Sequence, residues 1–287
     1  LLGYLMYWFP FFRLDDAGHI VGAPIRETRI MGVLQRIALC YFFASLLIHY
    51  CSTRTVYIVS ALLLLGYWVI LLLHGGGNDP YGMVTNAGFY LDKAVLGENH
   101  MYHGEGVAFE PEGILSTLPS IVNVVIGYYA GAFVQKRGKG YETMTKLLLT
   151  GALLIFIALC WNMVFPINKK LWTSSFVLIT TGLDLVIISA LLYIVELRQW
   201  NGLNWTRFFV VFGKNPLFIY LLSELLIVGF YMIRVSPNQN VHQAVNQGFF
   251  QAIAPGAFGS LLFALAYMLL CWFIGWLLDR RGVYVRV

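Results

Sequence analysis

Residues 55–73 read TVYIVSALLLLGYWVILLL, nineteen consecutive positions without a charged side chain. An α-helix rises about 1.5 Å per residue, so this run measures about 28 Å and matches a hydrocarbon core of about 30 Å. Comparable apolar blocks fall at about 31–50, 113–134, 146–165, 171–196, 208–233 and 257–278. With the apolar opening LLGYLMYWFPFF (1–12), they predict an all-α polytopic transmembrane bundle of seven full spans and a partial first span. Composition agrees: 59% of residues are hydrophobic and 11% charged, against about 25% charged in soluble domains. The mean hydropathy of +0.71 belongs to spanning helices rather than to one oversized soluble core.

Residues 1–287 read as a single integral membrane domain, with no soluble domain, low-complexity tract or convincing internal repeat. The opening run has neither an initiator Met nor a basic n-region, so it is not a signal peptide, and the natural protein is expected to begin earlier. Cys40, Cys51, Cys160 and Cys271 lie in or beside apolar blocks without a C-x-x-C pair, which implies neither a disulfide framework nor a zinc site.

Charge sets the expected orientation. The connections 51–54, 135–146 and 196–207 and the tail 279–287 carry ten Lys/Arg and three acids. The alternate set, 13–30, 74–112, 166–170 and 234–256, carries seven Lys/Arg and nine acids. Basic loops stay on the cytoplasmic side, so the C-terminus is expected there and the long loop 74–112 outside the cytoplasm. The net charge of +5 is then a topology signal, and nucleic acid is not needed as a partner.

Ionisable side chains at membrane depth cost about 2.5–3.5 kcal/mol on insertion scales and usually face protein or a wet cavity. Arg36, Asp184, Lys214 and Glu224 are the four. In RIMGVLQR (29–36), helical spacing puts Arg29, Gly32 and Arg36 on one face, two guanidiniums flanking a glycine notch suited to a carboxylate or phosphate. The structural alternative pairs Arg36 with Asp184 or Glu224. Pro216 in FGKNPLFIY (212–220) predicts either a kinked span beside a ligand cavity or a short helix ending at Asn215. Lys169 and Lys170 in INKKLWTSS (167–175) sit where basic residues are disfavoured, either holding an anion or snorkelling beside Trp172.

The loop 74–112 is too long for a simple connector. His100 and His103 stand at i, i+3 without a third ligand of diagnostic spacing, so no metal is expected. Asn99, Glu112 and Ser116 offer hydrogen bonds, and Glu112 after Pro111 suits the first turn of a helix. Generic nucleotide-binding, serine-hydrolase and zinc-protease motifs are absent from the sequence.

Five ordered blocks, RIMGVLQRIALCYF (29–42), LDKAVLGENHMY (91–102), FEPEGILSTLPSIVNVVIGYYAG (109–131), INKKLWTSSFVL (167–178) and FGKNPLFIYLLSEL (212–225), resemble the heparan-α-glucosaminide N-acetyltransferase family. Bacterial members often carry the name of an N-acetylglucosamine-related transporter. The resemblance implies a membrane acyltransferase that moves an acetyl group from cytoplasmic acetyl-CoA, a co-substrate, to an amino sugar on the far side. It implies a cofactor and substrate site drawing on Arg29, Gln35, Arg36, Asn168, Lys169, Trp172, Ser175 and Asn215. His100, Glu112, Asp184 and Glu224 are expected as supporting groups. The family's catalytic histidine belongs to a segment upstream of Leu1, and His100 is not promoted to its role. Glu110 stands where relatives commonly have Asp. A homodimer in a bacterial inner membrane, surrounded by lipid, is expected from the same resemblance. An amino-sugar transporter, or an acyltransferase using another acyl group on an envelope glycan, is the competing reading.

Overall fold

Each apolar block forms a helix whose ends are set by particular residues. The computed structural model describes residues 1–14, 19–200, 205–236 and 239–285. The long helices are α2 (Val33–Tyr50), α3 (Thr53–His74), α5 (Thr117–Arg137), α6 (Tyr141–Trp161), α7 (Ser174–Leu192) and α12 (Ala257–Arg280). Shorter ones are α1 (Leu2–Trp8), α4 (Ala87–Val95), α8 (Trp205–Lys214), α9 (Pro216–Met232), α10 (Val241–Val245) and α11 (Gln251–Ile253). Strands β1 (Phe12–Leu14) and β2 (Ile20–Gly22) pair with each other, as do β3 (Arg234–Ser236) and β4 (Gln239–Asn240).

Six helices are long and apolar enough to cross a membrane, and α8 with α9 makes a seventh if that pair, bent by 81°, is taken as one span. The chain is therefore an integral membrane protein with an all-α bundle. Asp15, Asp16 and Arg286, which enter the charge comparison, lie outside the described residues.

The chain divides into two compact units, one of residues 1–8 and 22–200, the other of 9–21 and 201–287. In the first, α2, α3 and α5 enclose Cys40, Ala44, Val56, Ile121 and Val125, while Leu64, Val122, Ala158, Val177 and Leu178 join α3, α5, α6 and α7. Lipid offers no hydrophobic drive for helix association, so close backbone approach matters more than in water. Gly151 and Gly182 supply it between α6 and α7: a Cβ on Gly151 would lie 2.6 Å from the Gly182 carbonyl, and the reverse distance is 2.8 Å. The outer faces carry exposed Leu62, Leu73, Leu149 and Phe156, as a lipid-facing surface requires.

Helix starts differ from the apolar blocks where backbone geometry intervenes. Gly32 is extended, so α2 begins at Val33, and Arg29 and Gly32 precede the helix instead of sharing a face with Arg36. Trp172 has φ 52°, outside right-handed helix, so α7 waits for Thr173, whose hydroxyl accepts the Phe176 N–H. At its other end α7 runs into a π-helical turn, Tyr193–Leu197.

In the second unit, the break between α8 and α9 falls at buried Asn215, as the short-helix alternative anticipated. The Asn215 side-chain amide donates to the Val283 carbonyl (3.0 Å) and accepts from the Val285 N–H (2.9 Å), so the C-terminal segment satisfies this buried side chain at the break. Lys214 pairs with Asp279 (2.8 Å).

Replacing Gly182 by Val should force α6 and α7 apart, an overpacking penalty of about 1–3 kcal/mol. Thermal unfolding in detergent should show a midpoint several degrees lower. Gly127→Ala, where a Cβ meets nothing within 4 Å, should leave it unchanged.

Candidate functional site

The blocks RIMGVLQR, LDKAV, FEPEG and NKKLWTSS converge within the first unit. Residues 28–30 run extended against the loop: the Ile30 N–H donates to the His100 carbonyl (3.2 Å), and His100 Nδ1 lies 2.7 Å from the Thr28 carbonyl. His100 thus anchors this segment.

Arg29 is enclosed by its partners. Its Nε donates to Glu110 (2.9 Å), its Nη2 bonds Glu110 and Glu112, and its Cζ sits 4.8 Å from the ring centroids of both Tyr7 and Tyr102. Burial works against its charge, but bonding to Glu110 and the nearby Glu112 raise its pKa above the ordinary value. The Gly32 notch is filled too, because any Cβ there would overlap the Tyr7 ring.

Arg36 differs. It is 5% exposed on α2, and its Nη2 donates to the carbonyls of Pro111 (2.8 Å) and Gly113 (3.4 Å) and to the Ser116 hydroxyl. Neither carboxylate of the structural alternative is among these partners: Asp184 is exposed on α7, and Glu224 belongs to the second unit. The guanidinium lies 5.0 Å from the Trp172 ring centroid, and its Nε and Nη1 are buried without any hydrogen-bond partner. A buried charge with open donors is a strong binding site for an anion, because a low dielectric amplifies each bond made there.

Trp172 is held over Arg36 by a loop whose polar groups are nearly all engaged. The Asn168 side chain accepts the N–H groups of Lys170 (2.9 Å) and Leu171 (3.3 Å), and Tyr67 donates to the Leu171 carbonyl (2.6 Å). The Trp172 indole donates to Asn123 on α5 (3.0 Å). Ser175 is buried 3.1 Å from the Thr173 hydroxyl. The lysines separate: Lys170 pairs with Glu105, while Lys169 is exposed.

Among the expected residues, Arg29, Arg36, Glu112, His100 and Trp172 are brought into one cluster, with Asn168 and Ser175 shaping the loop. Gln35 donates to the Ile30 carbonyl (2.9 Å) and packs against Gly3 of α1. Asn215 and Glu224 belong to the second unit, and Asp184 does not join the cluster. Among the described residues no group of three His, Cys, Asp or Glu is arranged to hold a metal.

Tyr7, Tyr67, Asp92, Tyr102, Glu110 and Asn123 were not among the expected site residues. Asp92, Tyr102, Glu110 and Asn123 lie inside the family-like blocks, which is the available signal; Tyr7 and Tyr67, in apolar runs outside them, give none. Asp92, on α4, accepts the Ile114 N–H (2.8 Å) and lies so close to Gly113 that any Cβ there would collide with its carboxyl. It lines, with Tyr67, Glu110 and Ser116, a cavity of about 10 Å³, at the lower limit for one water. Burial pushes the Asp92 carboxyl up to about 7, against the Ile114 bond, with Glu110 adding to the rise and Arg36 opposing it. Burial also raises Glu110, opposed by Arg29.

These features define a class: a polytopic α-helical membrane protein with a buried, open arginine at the end of its bundle. Particular relatives narrow it. The chain is 28% identical to heparan-alpha-glucosaminide N-acetyltransferase of Homo sapiens, over 69% of this chain and 37% of that protein. It is 32% identical to the mouse protein of the same name (Mus musculus), over 52% of this chain and 24% of that one. These homologues support the family drawn from the five blocks. The matches span well under half of either relative's length. No family model matches the chain.

The Asp92 shift predicts a pH dependence. A carboxyl held above its unfolded value favours folding most when both states are protonated, below about pH 3.8. That contribution falls as pH rises towards about 7 and is level beyond, a loss on the order of a few kcal/mol. Asp92→Asn should flatten the decline in melting temperature between pH 4 and 7 and raise it at pH 8. An unchanged decline would assign the titration elsewhere.

Proposed function

We propose that this chain carries the membrane core of an N-acetyltransferase acting from acetyl-CoA on an amino sugar. The observation that carries the reading is Arg36, buried beneath Trp172 with two donors facing no protein acceptor. An acetyl thioester supplies an activated carbonyl, whose oxygen gains negative charge as an amine adds to its carbon. Preorganised donors in a water-poor site stabilise such charge, and removing one typically lowers the rate by about 10²–10³. Arg36 is preorganised in this sense: Nη2 is tied to Pro111, Gly113 and Ser116, so Nε and Nη1 hold a fixed direction. An anionic group of acetyl-CoA or of the sugar is equally suited to the same donors. Arg29 is assigned a different role, fixing the Glu110–Gly113 turn whose carbonyls seat Arg36.

In this reading the basic connections face the cytoplasm, as does the C-terminus, and the Arg36 cluster opens towards the opposite side of a bacterial inner membrane. The amino-sugar acceptor is inferred from the relatives' names, which specify a glucosaminide.

Labelled acetyl-CoA incubated with the purified full-length protein and glucosamine should yield N-acetylated sugar. Arg36→Lys, which keeps the charge but loses the second and third donors, should lower kcat by about 10²–10³ while the melting temperature stays within a few degrees. Wild-type turnover in that variant would remove Arg36 from the site. Failure to label any of several amino sugars, combined with amino-sugar uptake into proteoliposomes lacking acyl-CoA, would replace the enzyme with a transporter.

A further inference from the structure

The second unit carries a feature that acetyl transfer does not use. Helix α8 meets α9 at 81°, so with α9 crossing the bilayer α8 runs along its surface. Where α8 packs on the last turns of α12, Phe208 stacks on Trp272 (5.2 Å between centroids, 21° between planes) and Trp272 stacks on Trp276 (6.3 Å, 16°). The Arg280 guanidinium closes the ladder 4.9 Å from the Trp276 ring centroid. The Trp272 indole donates to the Phe208 carbonyl (3.0 Å) and locks the two helices in this arrangement.

Arg207 lies across from Arg280, and the two arginines with Phe208, Trp272 and Trp276 line an open groove of about 520 Å³. The carboxylates of this unit among the described residues are Glu224, within α9, and Asp279. Asp279 is engaged by Lys214 (2.8 Å) and by the Tyr284 hydroxyl (2.9 Å). Among the described residues, neither Arg207 nor Arg280 forms an ion pair with a carboxylate, although Arg207 is near enough to Asp279 to attract that carboxylate, and the Trp276 indole N–H has no acceptor. Exposed Phe273 and Leu277 follow Trp272 and Trp276 on α12, and the Phe273 ring stacks on Trp276 (5.7 Å between centroids). The site therefore joins two exposed cations, whose nearby carboxylate Asp279 is already taken by Lys214 and Tyr284, and an indole donor to apolar side chains on a spanning helix.

We infer that this groove is a binding site for an anionic phospholipid, its phosphate held between Arg207 and Arg280 and its acyl chains laid along Phe273 and Leu277. Cationic clusters beside membrane helices attract anionic headgroups, and aromatic rings at the same level suit the headgroup region. A soluble phosphate would satisfy the arginines and leave the apolar side chains uncovered, whereas a lipid covers both.

The test uses the full-length protein, delipidated in detergent and titrated with phosphatidylglycerol, phosphatidylcholine or inorganic phosphate, with bound lipid counted by native mass spectrometry. Phosphatidylglycerol should bind at least about tenfold more tightly than phosphatidylcholine, because only its headgroup carries the net negative charge that the cations select. Arg207→Gln with Arg280→Gln should abolish that preference, each single change should reduce it, and Arg137→Gln in the first unit should not alter it. Should the double variant fold poorly, the single variants decide by the same ratio. Equal binding of the two lipids by the unmodified protein, a preference surviving in the arginine variants, or displacement of phosphatidylglycerol by inorganic phosphate at equal concentration would overturn the assignment.

Discussion

A guanidinium buried to within 5% of full enclosure needs acceptors at fixed positions, and the geometry around Arg36 follows from that demand. The acceptors are two carbonyls of a turn and the Ser116 hydroxyl rather than carboxylates, so the turn itself must be delivered to α2. Glu110, bonded to Arg29, holds one side of it, and Asp92, bonded to the Ile114 N–H, holds the other. Gly113 is required because the Asp92 carboxyl occupies the space of a side chain. The opposite wall is Trp172, brought over Arg36 by a left-handed backbone and a bond to Asn123. Four separated segments are thereby committed to one cation.

The two arginines of RIMGVLQR divide the work. Arg29 meets two carboxylates and two aromatic rings and retains little capacity to recruit a ligand. Arg36 meets neutral oxygens on one nitrogen only, and its remaining donors are the least satisfied charged group among the described residues of the first unit. The proposed acyl transfer would draw on this asymmetry: a saturated ion pair builds the seat, and an unsaturated cation is left open. The lysines of the NKKLW loop follow a similar division between Lys170, paired with Glu105, and exposed Lys169.

The broken helix of the second unit also has a local explanation. Pro216 cannot donate to the preceding turn, and the buried Asn215 side chain at the break needs a donor and an acceptor of its own. The segment 283–285 supplies them. That anchoring holds the end of α12 beside α8, which assembles the aromatic ladder and its arginines. At a discontinuity that in sequence suits a transport cavity, the polar side chain is engaged by the chain's own backbone.

The spans were legible because a hydrocarbon solvent imposes a length and a composition on any helix that crosses it. Blocks such as 55–73 and 257–278 carry that imprint locally, and α3 and α12 depart from them by two residues at most at either end. Helix starts at Val33, Thr117 and Ser174 were less legible, since an apolar residue in a turn looks the same as one in a helix. Arg36 stood out as an expensive residue at membrane depth, but its company did not. Helical spacing placed Arg29 beside it, whereas the extended Gly32 carries Arg29 away to Glu110 and Glu112. Spacing also offered Asp184 and Glu224 as partners, when the bonds go to backbone oxygens of a loop about 75 residues further on. Sequence alone thus determined that the chain lives in a membrane and which polar side chains are out of place there. Tertiary structure decided which of them are neutralised and which remains open, because a buried charge is satisfied by whatever oxygen lies within 3 Å, and sequence distance says nothing about that.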